Sequence, residues 1–509
     1  MSNQLKIGAL LSYANLFFTL IIGLIYTPIM IRLLGQSEYG LYSLIGALIG
    51  YLSILDMGLG NAIIRYTAKN RATGDKNSEA ILNGMFLLLY LAIGILTVIV
   101  GSILYYNIDN MFYDTLTKDE LGRAKIMTIL LILNFALSFP LSVFASVMQA
   151  YERFVFLKLC SIFRVVLNPI IVLPLLYMGY GSVMMVVIST ILNIGCLLIN
   201  VYYCYRYLNI SFRFNCFDFL LLKEIAVYSF FIFLNIITDK IYWSTGQFIL
   251  GMVAGTTSVA VYAIAMQFVT IYIMFSTSIS GIMLPKVTIM VANRASASEL
   301  TELMIKIGRI QYIIIGYIFS LFVLCGKQFI YLWAGEAYSD AYVIIAIIMF
   351  AIGFPLIQNT GISILQAKNL NKFRMILYTI VAMLNIVISI PLAKQYGSLG
   401  CAIATAGAQL IANIFIINAY YHYKIGLDIP LFWRSILKMS LPVIILLTFG
   451  VSINHVFSQY TWTNLFFQVG IFSLVYAVAM VFVGMNYSEK KMIEKPLQLL
   501  KKKIISLKG

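Results

Sequence analysis

Acidic side chains are scarce in this chain, and histidine is almost missing. Asp and Glu together number 19 against 35 Lys and Arg, and imidazole occurs only at His422 and His455. Neither histidine has a partner at ligand spacing, so a zinc or haem site has no support. The six cysteines (Cys160, Cys196, Cys204, Cys216, Cys325, Cys401) form no C-x-x-C pair. In apolar settings they read as free thiols, not as a disulfide framework or metal site. The G-x-x-x-x-G-K phosphate loop is missing, which argues against an ATP-driven pump within the chain. There is no Ser/His/Asp set and no paired-carboxylate site on a sizeable extramembrane domain, so no catalytic residue, cofactor or metal is expected. Charged residues make up 11% of the chain, against roughly 25% in a soluble domain.

What fills the chain instead is apolar sequence, 61% of its residues. A spanning helix needs roughly 20 mostly apolar residues, because its backbone polar groups must be satisfied internally where water is absent. By that measure about fourteen spans are expected: 8–31, 41–59, 81–106, 126–149, 157–178, 182–204, 224–251, 258–285, 307–327, 340–365, 375–393, 398–421, 437–455 and 463–484. The expected fold class is all-α integral membrane. The first span follows a single lysine with no small-residue cleavage pattern, and reads as a retained helix.

The net charge of +16 sorts by loop. Taking alternate loops from the N-terminus, one set carries Arg65, Lys69, Arg71 and Lys76, then Arg153, Lys158 and Arg164, Arg206 and Arg213, Lys306 and Arg309, and the lysines after Met485. The other set holds only Arg32, Lys118, Arg123, Lys125, Lys327 and Lys394, and Lys240 lies within a span. This is the positive-inside asymmetry, and it places both termini in the cytoplasm. Basic residues spread over many short loops do not make a nucleic-acid surface. The acidic residues Asp109, Asp114, Asp119 and Glu120 fall in the longest outer loop, 107–125, expected to be solvated. The tail Lys490–Gly509 alternates lysine with Ile and Leu; it either rests on the anionic inner leaflet or is solvated.

An internal repeat is visible. LGQSEYGLYSL joins the first two spans and AGTTSVAVYAI the seventh and eighth, with Gly35 and Tyr42 matched by Gly255 and Tyr262. Phe139-Pro140-Leu141 leading to Gln149-Ala150 is echoed by Phe354-Pro355-Leu356 leading to Gln366-Ala367. Two six-helix blocks of the same orientation are the pattern of parallel repeats. The expected organisation is an N-terminal six-helix lobe over 1–210, a second over 211–425, two additional helices in 426–488 and a basic cytoplasmic tail, 489–509.

Ionisable groups within spans cost roughly 2.5 to 3.5 kcal/mol near the helix centre. Asn235, Asp239, Trp243 and Gln247 recur at steps of four and form one polar stripe, with Lys240 about a quarter-turn away. Two readings are open. Asp239 and Lys240 pair with neighbours to hold the halves together, or they line a hydrated pathway, Lys240 attracting an anionic substrate and Asp239 taking a proton or cation. Asp56, before Gly58-Leu59-Gly60, either joins that pathway or reaches interfacial water. Arg32 and Arg65 end their spans and either snorkel or grip a phosphate at the vestibule. Asn15, Asn134, Asn168, Asn193 and other amides at bilayer depth suit helix–helix hydrogen bonds and a lumen for sugar hydroxyls. Pro28, Pro140, Pro169, Pro174, Pro285 and Pro355 are expected to interrupt helices.

Arg32-Leu33-Leu34-Gly35, Glu38-Tyr39-Gly40-Leu41-Tyr42, Asp56-Met57-Gly58-Leu59-Gly60 and Arg65-Tyr66 resemble, in order, the opening of bacterial polysaccharide transporters of the O-antigen repeat-unit flippase type. Gln149-Ala150 before Arg153-Phe154, and Asp239 before Gly255 and Tyr262, are similar to later landmarks of that family. The resemblance implies the multidrug/oligosaccharidyl-lipid/polysaccharide exporter superfamily: two lobes in a V around a central cavity, here with two extra C-terminal helices. It implies a flippase in the bacterial plasma membrane, working by alternating access, for cell-surface polysaccharide such as O-antigen or capsule. Its partners would be a polyprenyl-pyrophosphate-linked oligosaccharide, membrane lipids and other polysaccharide-export proteins, without nucleic acid. Lys240 is the only basic residue expected at mid-depth, fewer than such cavities usually hold. A cation-coupled multidrug exporter and a membrane polymerase are the alternatives. The first usually has twelve helices, and the second carries a long reactive outer loop that this chain lacks.

Overall fold

The computed structural model describes residues 2–214, 219–454 and 459–491; Cys216, His455 and the tail beyond Lys491 lie outside the described residues. Among the described residues the regular elements are helical. In chain order they are α1 (Ser2–Leu34), α2 (Gln36–Gly50), α3 (Leu59–Thr73), α4 (Lys76–Phe112), α5 (Lys118–Ala150), α6 (Phe154–Tyr177), α7 (Ser182–Tyr203), α8 (Phe219–Val253) and α9 (Gly255–Ser280). Then follow α10 (Leu284–Ala292), α11 (Ala297–Ala334), α12 (Ala341–Ile357), α13 (Asn359–Ala367), α14 (Asn371–Leu410), α15 (Ile429–Leu437), α16 (Ser440–Asn454) and α17 (Trp462–Ala479).

Twelve stretches among the described residues are long and apolar enough to cross a membrane. One of them, Asn371–Ile425, has 55 residues, roughly 80 Å of helix and more than twice the bilayer core. It bends at Gly397 (φ 57°, ψ −135°) and therefore holds two crossings. With the 35 residues of α8, the inventory accommodates about fourteen crossings.

The helices run past the apolar windows that reveal them. Where the sequence places a loop at 107–125, α4 continues to Phe112 and α5 begins at Lys118. The cause is local capping. Thr117 accepts from the Glu120 amide while Glu120 reaches back to the Thr117 amide, which starts α5 well outside the hydrocarbon span. Ser296 and Glu299 start α11 in the same way. The acidic stretch is therefore structured: Lys125 binds Asp109 at 2.5 Å, and Glu120 is only 7% exposed.

Most of the prolines do not break their helices, contrary to the reading from sequence. Pro28, Pro140, Pro169, Pro174 and Pro355 lie inside continuous helices, and Pro285 stands in the first turn of α10. At Pro140 the missing N–H leaves the Ala136 carbonyl without its helical donor. Gly94 of α4 lies against that carbonyl, so closely that a Cβ there would come within 2.8 Å of it. The real interruptions fall elsewhere. Between α2 and α3 the chain passes through a tight turn, Tyr51–Asp56, and two left-handed residues, Met57 (φ 50°) and Gly58 (φ 71°). Gln358 separates α12 from α13. The paired landmarks Gly35 and Gly255 share one backbone state, φ 80° and 78°.

The chain forms two compact units, one of Met1–Ala263 with Ser389–Cys401 and one of Ile264–Ile388 with Ala402–Gly509. In the first, Tyr66, Phe86, Tyr90, Phe144 and Val147 from α3, α4 and α5 form a buried core. In the second, Leu324 and Cys325 of α11 pack with Val443 and Leu446 of α16 and Phe472 and Tyr476 of α17, so the last two long helices are integral to that unit.

Candidate functional site

Helix α8 carries the polar stripe read from sequence, and its rotation is set by its buried face. Thr238, Tyr242, Thr245, Ile249 and Leu250 are buried, and the Thr245 hydroxyl lies 2.5 Å from the Tyr51 hydroxyl. That leaves Asn235 and Asp239 exposed, with Trp243 and Gln247 half-buried farther along. Lys240 does not share the stripe's surroundings. Its Nζ lies 3.7 Å from the point where a Cβ on Gly50 would stand, at the carboxyl end of α2. A helix carboxyl end favours a cation, and Gly50 leaves the space for it.

Asp56 sits at the α2–α3 break and accepts a hydrogen bond from the Tyr90 hydroxyl of α4 at 2.7 Å. Ile232 of α8 packs against the same break, 2.4 Å from where a Gly58 Cβ would be. Arg32 is exposed in the last turn of α1, whereas Arg65 is exposed within α3, its guanidinium 5.7 Å from the Tyr66 ring centroid. The α2 helix and the break lie between these two arginines in sequence.

Three clusters escaped the reading from sequence. The first is a cavity of about 630 Å³ within the first unit, lined by Thr19, Tyr26, Asn134, Ser138, Arg164, Asn168, Ser189 and Asn193 among others. Arg164, counted above with the loop residues, lies in α6, roughly 15 Å from its start at 1.5 Å per residue. That is half the thickness of a bilayer core of about 30 Å. Lys240 is thus not the only cation at depth. Arg164 Nη1 donates to Asn193 Oδ1 at 2.5 Å, and Asn193 Nδ2 donates to Asn134 Oδ1 and Ser138 Oγ, both at 2.8 Å. The signal available in sequence was the lack of any Asp or Glu between Glu152 and Asp218.

The second cluster gathers helix starts. The Glu120 carboxylate accepts from Ser37 Oγ at 2.5 Å and Thr256 Oγ1 at 3.0 Å, joining α2, α5 and α9. Beside it, Glu38 accepts from the Ser182 amide at 2.7 Å and pairs with Arg123 at 3.1 Å. Gly40 meets the Thr256 carbonyl so closely that no side chain fits. The third cluster lies at the far ends of α3 and α5. There Arg71 caps the Ala150 carbonyl at 2.8 Å and stacks 4.4 Å from the Tyr151 ring centroid. The Tyr151 hydroxyl donates to Glu79 at 2.6 Å, and burial together with this bond raises its pKa well above the usual tyrosine range.

A family model described as "Polysaccharide biosynthesis protein" matches residues 7–291. No curated protein matches the chain. Among solved structures, the lipid II flippase MurJ in an inward closed conformation superposes with a TM-score of 0.71 at 16% identity, covering 93% of this chain and 98% of that one. An inward-facing multidrug resistance MATE family transporter of the MOP superfamily gives 0.65 at 15% identity, covering 79% and 95%. A MOP superfamily transporter from Pyrococcus furiosus, described as having a binding pocket of reverse polarity, gives 0.52 at 15% identity, covering 81% and 92%. At these identities the likeness is one of fold.

Proposed function

The chain belongs to the polysaccharide biosynthesis protein family, as a multi-pass membrane protein with the MOP transporter fold, and from that premise we propose that it is a flippase. It turns polyprenyl-pyrophosphate-linked oligosaccharide repeat units from the inner to the outer leaflet of the bacterial plasma membrane for cell-surface polysaccharide. The observation that carries this reading is the family match over residues 7–291 of a chain built from membrane-crossing helices. The fold likeness to a lipid II flippase supports it.

In this proposal both termini face the cytoplasm, and the lobes 1–210 and 211–425 rock to open a path to each face in turn. The helices of 426–488 extend the second lobe. The stripe of Asn235, Asp239, Trp243 and Gln247, exposed at its first two residues, lines the path, with Asp239 as the coupling residue. Lys240, and Asp56 at the helix break, sit beside the path, and Arg32 and Arg65 meet the pyrophosphate at the two ends. Membrane lipids and other export proteins would be the partners.

The second reading is a multidrug exporter, the function named for the MATE relative. An organic cation needs a negative partner where it rests; Asp239 on the proposed path would serve as one, whereas the cavity around Arg164 is lined by none. A polymerase is disfavoured because the named fold relatives are transporters and flippases.

The test is complementation of a strain lacking its sugar-repeat translocase. The wild-type chain restores surface polymer, and Asp239→Asn abolishes export at normal expression. Unchanged export in that variant removes the coupling role, and failure of the wild-type chain on any repeat unit removes the flippase reading.

A further inference from the structure

The two matched turns of the sequence repeat meet at a single carboxylate. Gly35 precedes α2 and Gly255 opens α9, with φ 80° and 78°. Close behind each glycine stands a hydroxyl that donates to Glu120: Ser37 Oγ at 2.5 Å and Thr256 Oγ1 at 3.0 Å. The two hydroxyl oxygens lie 3.1 Å apart. The chain before α5 grips the second turn again, where Thr115 Oγ1 donates to the Gly251 carbonyl at 2.6 Å. By packing, Thr256 belongs to the first unit, which includes Met1–Ala263, whereas α9 from Ile264 onward belongs to the second. By sequence, the whole of α9 belongs to the second repeat.

We propose that Glu120 is the positioning residue of a latch that holds the start of α9 against α2 and α5 while the path is shut on this side, and that releases it when the path opens. With both termini in the cytoplasm, this is the outer side. The inference rests on the flippase reading, in which 1–210 rocks against 211–425, because Thr256 must then part from Ser37 and Glu120. The contact is built to part. A carboxylate accepts at about four lone-pair positions. Besides Thr256, Glu120 accepts from Ser37 Oγ, the Thr117 amide at 2.8 Å and Thr117 Oγ1 at 2.9 Å, donors that stay with the first repeat. Departure of α9 therefore leaves the charge satisfied, at the starts of two helices whose dipoles favour it. The surfaces also separate without interlocking, since Gly40 has no side chain where the Thr256 carbonyl rests against it. The neighbouring ion pair behaves differently. Glu38 binds Arg123 and the Ser182 amide, joining α2, α5 and α7 of the first repeat, so it persists through the motion.

The experiment locks the latch in the full chain. Ser37→Cys with Thr256→Cys replaces the two hydroxyls 3.1 Å apart by thiols within bridging reach. Copper phenanthroline catalyses their oxidation to a disulfide, with dioxygen taking the two electrons and the protons, and dithiothreitol reverses it. Transport of lipid-linked oligosaccharide in proteoliposomes should fall at least tenfold in the oxidised chain and return on reduction, while the wild type responds to neither reagent. Undiminished transport by the cross-linked chain means that the turns never part, and overturns the latch. Opening is also read without transport. Thr256 is 6% exposed, so Thr256→Cys alone should react slowly with a membrane-impermeant maleimide added outside. Adding Glu120→Ala should speed that reaction about tenfold or more, the loss of a hydrogen bond to a charged group, with labelling of the buried Cys325 unchanged. Should Glu120→Ala fail to fold, Gly40→Ala wedges the turns apart and should speed the reaction in the same way. Equal rates, or Cys325 labelled faster in step, overturn the role of Glu120. A chain that opens by this measure yet moves no lipid-linked oligosaccharide would end the flippase reading and leave the latch standing.

Discussion

Glu120 shows how one side chain can be misplaced by its neighbourhood in sequence. Among Asp109, Asp114 and Asp119 it reads as part of a solvated acidic loop, yet it is buried and accepts from Ser37, Thr256 and the Thr117 backbone. The cue was the Thr117-x-x-Glu120 spacing, a capping box, which the hydropathy window overrode. Glu120→Gln sets an amide N–H₂ against one of those donors. It should destabilise the protein by about 1.5 to 3 kcal/mol, the range for hydrogen bonds to a charged group. Asp119→Asn, exposed one position away, changes only a helix-start charge worth less than about 1 kcal/mol. Thermal unfolding of both variants in detergent measures the difference, and equal shifts would return Glu120 to the surface. Arg164 was misplaced for a related reason. Sorting cations by alternate loops assigns every arginine near a boundary to water, although α6 carries this one to mid-depth. The Asn235-to-Gln247 stripe was legible because a four-residue period survives in any helix, however it is packed.

At the scale of elements, the sequence revealed the number and order of helices far better than their ends or breaks. A run of about 20 apolar residues is a local property, whereas a break depends on what packs against it. From sequence, Asp56-Met57-Gly58 reads as the end of the span 41–59. In the structure it is a fixed break inside the stretch Gln36–Thr73, clamped by Tyr90 through Asp56 and by Ile232 against Gly58. Gly74, after α3, is also left-handed (φ 74°), but nothing lies within 4 Å of where its Cβ would stand. The pair separates backbone strain from packing. Gly74→Ala should cost about 1 to 2 kcal/mol, the penalty of an alanine in the left-handed region. Gly58→Ala should add about 1 to 3 kcal/mol for overpacking against α8 and should slow transport, because the break can no longer seat. Equal stability losses at the two positions would mean that the α8 contact is loose. Gly94→Val should likewise push α4 off the Ala136 carbonyl, with a loss of about 1 to 3 kcal/mol in the same measurement.

For the molecule as a whole, the question is what binds the last two long helices to the second unit. Their apolar contacts with α11, through Leu324, Leu446 and Phe472, are a weak reason in a bilayer, where lipid tails replace lost side chains without a hydrophobic penalty. Arg309 is a stronger one. Counted from sequence as a loop cation, it is 11% exposed in α11 and bound to Glu489, itself 6% exposed, through Nε at 2.6 Å and Nη2 at 2.9 Å. It also donates to the Ser435 carbonyl at the end of α15 and to the Gly484 carbonyl after α17. One guanidinium thus ties three later segments to α11. Removing its partners leaves a buried charge uncompensated, at a cost of about 3 to 5 kcal/mol, whereas replacing the whole arrangement by apolar groups can be nearly neutral. A chain ending at Ile425 should therefore lose monodispersity in size-exclusion chromatography, and Arg309→Met in that shortened chain should restore much of it. In the full chain, Glu489→Leu alone should destabilise, and adding Arg309→Met should recover most of the loss. Were the shortened chain indifferent to residue 309, its anchoring would lie in the apolar faces of α16 and α17 after all, and the bilayer argument would fail for this unit.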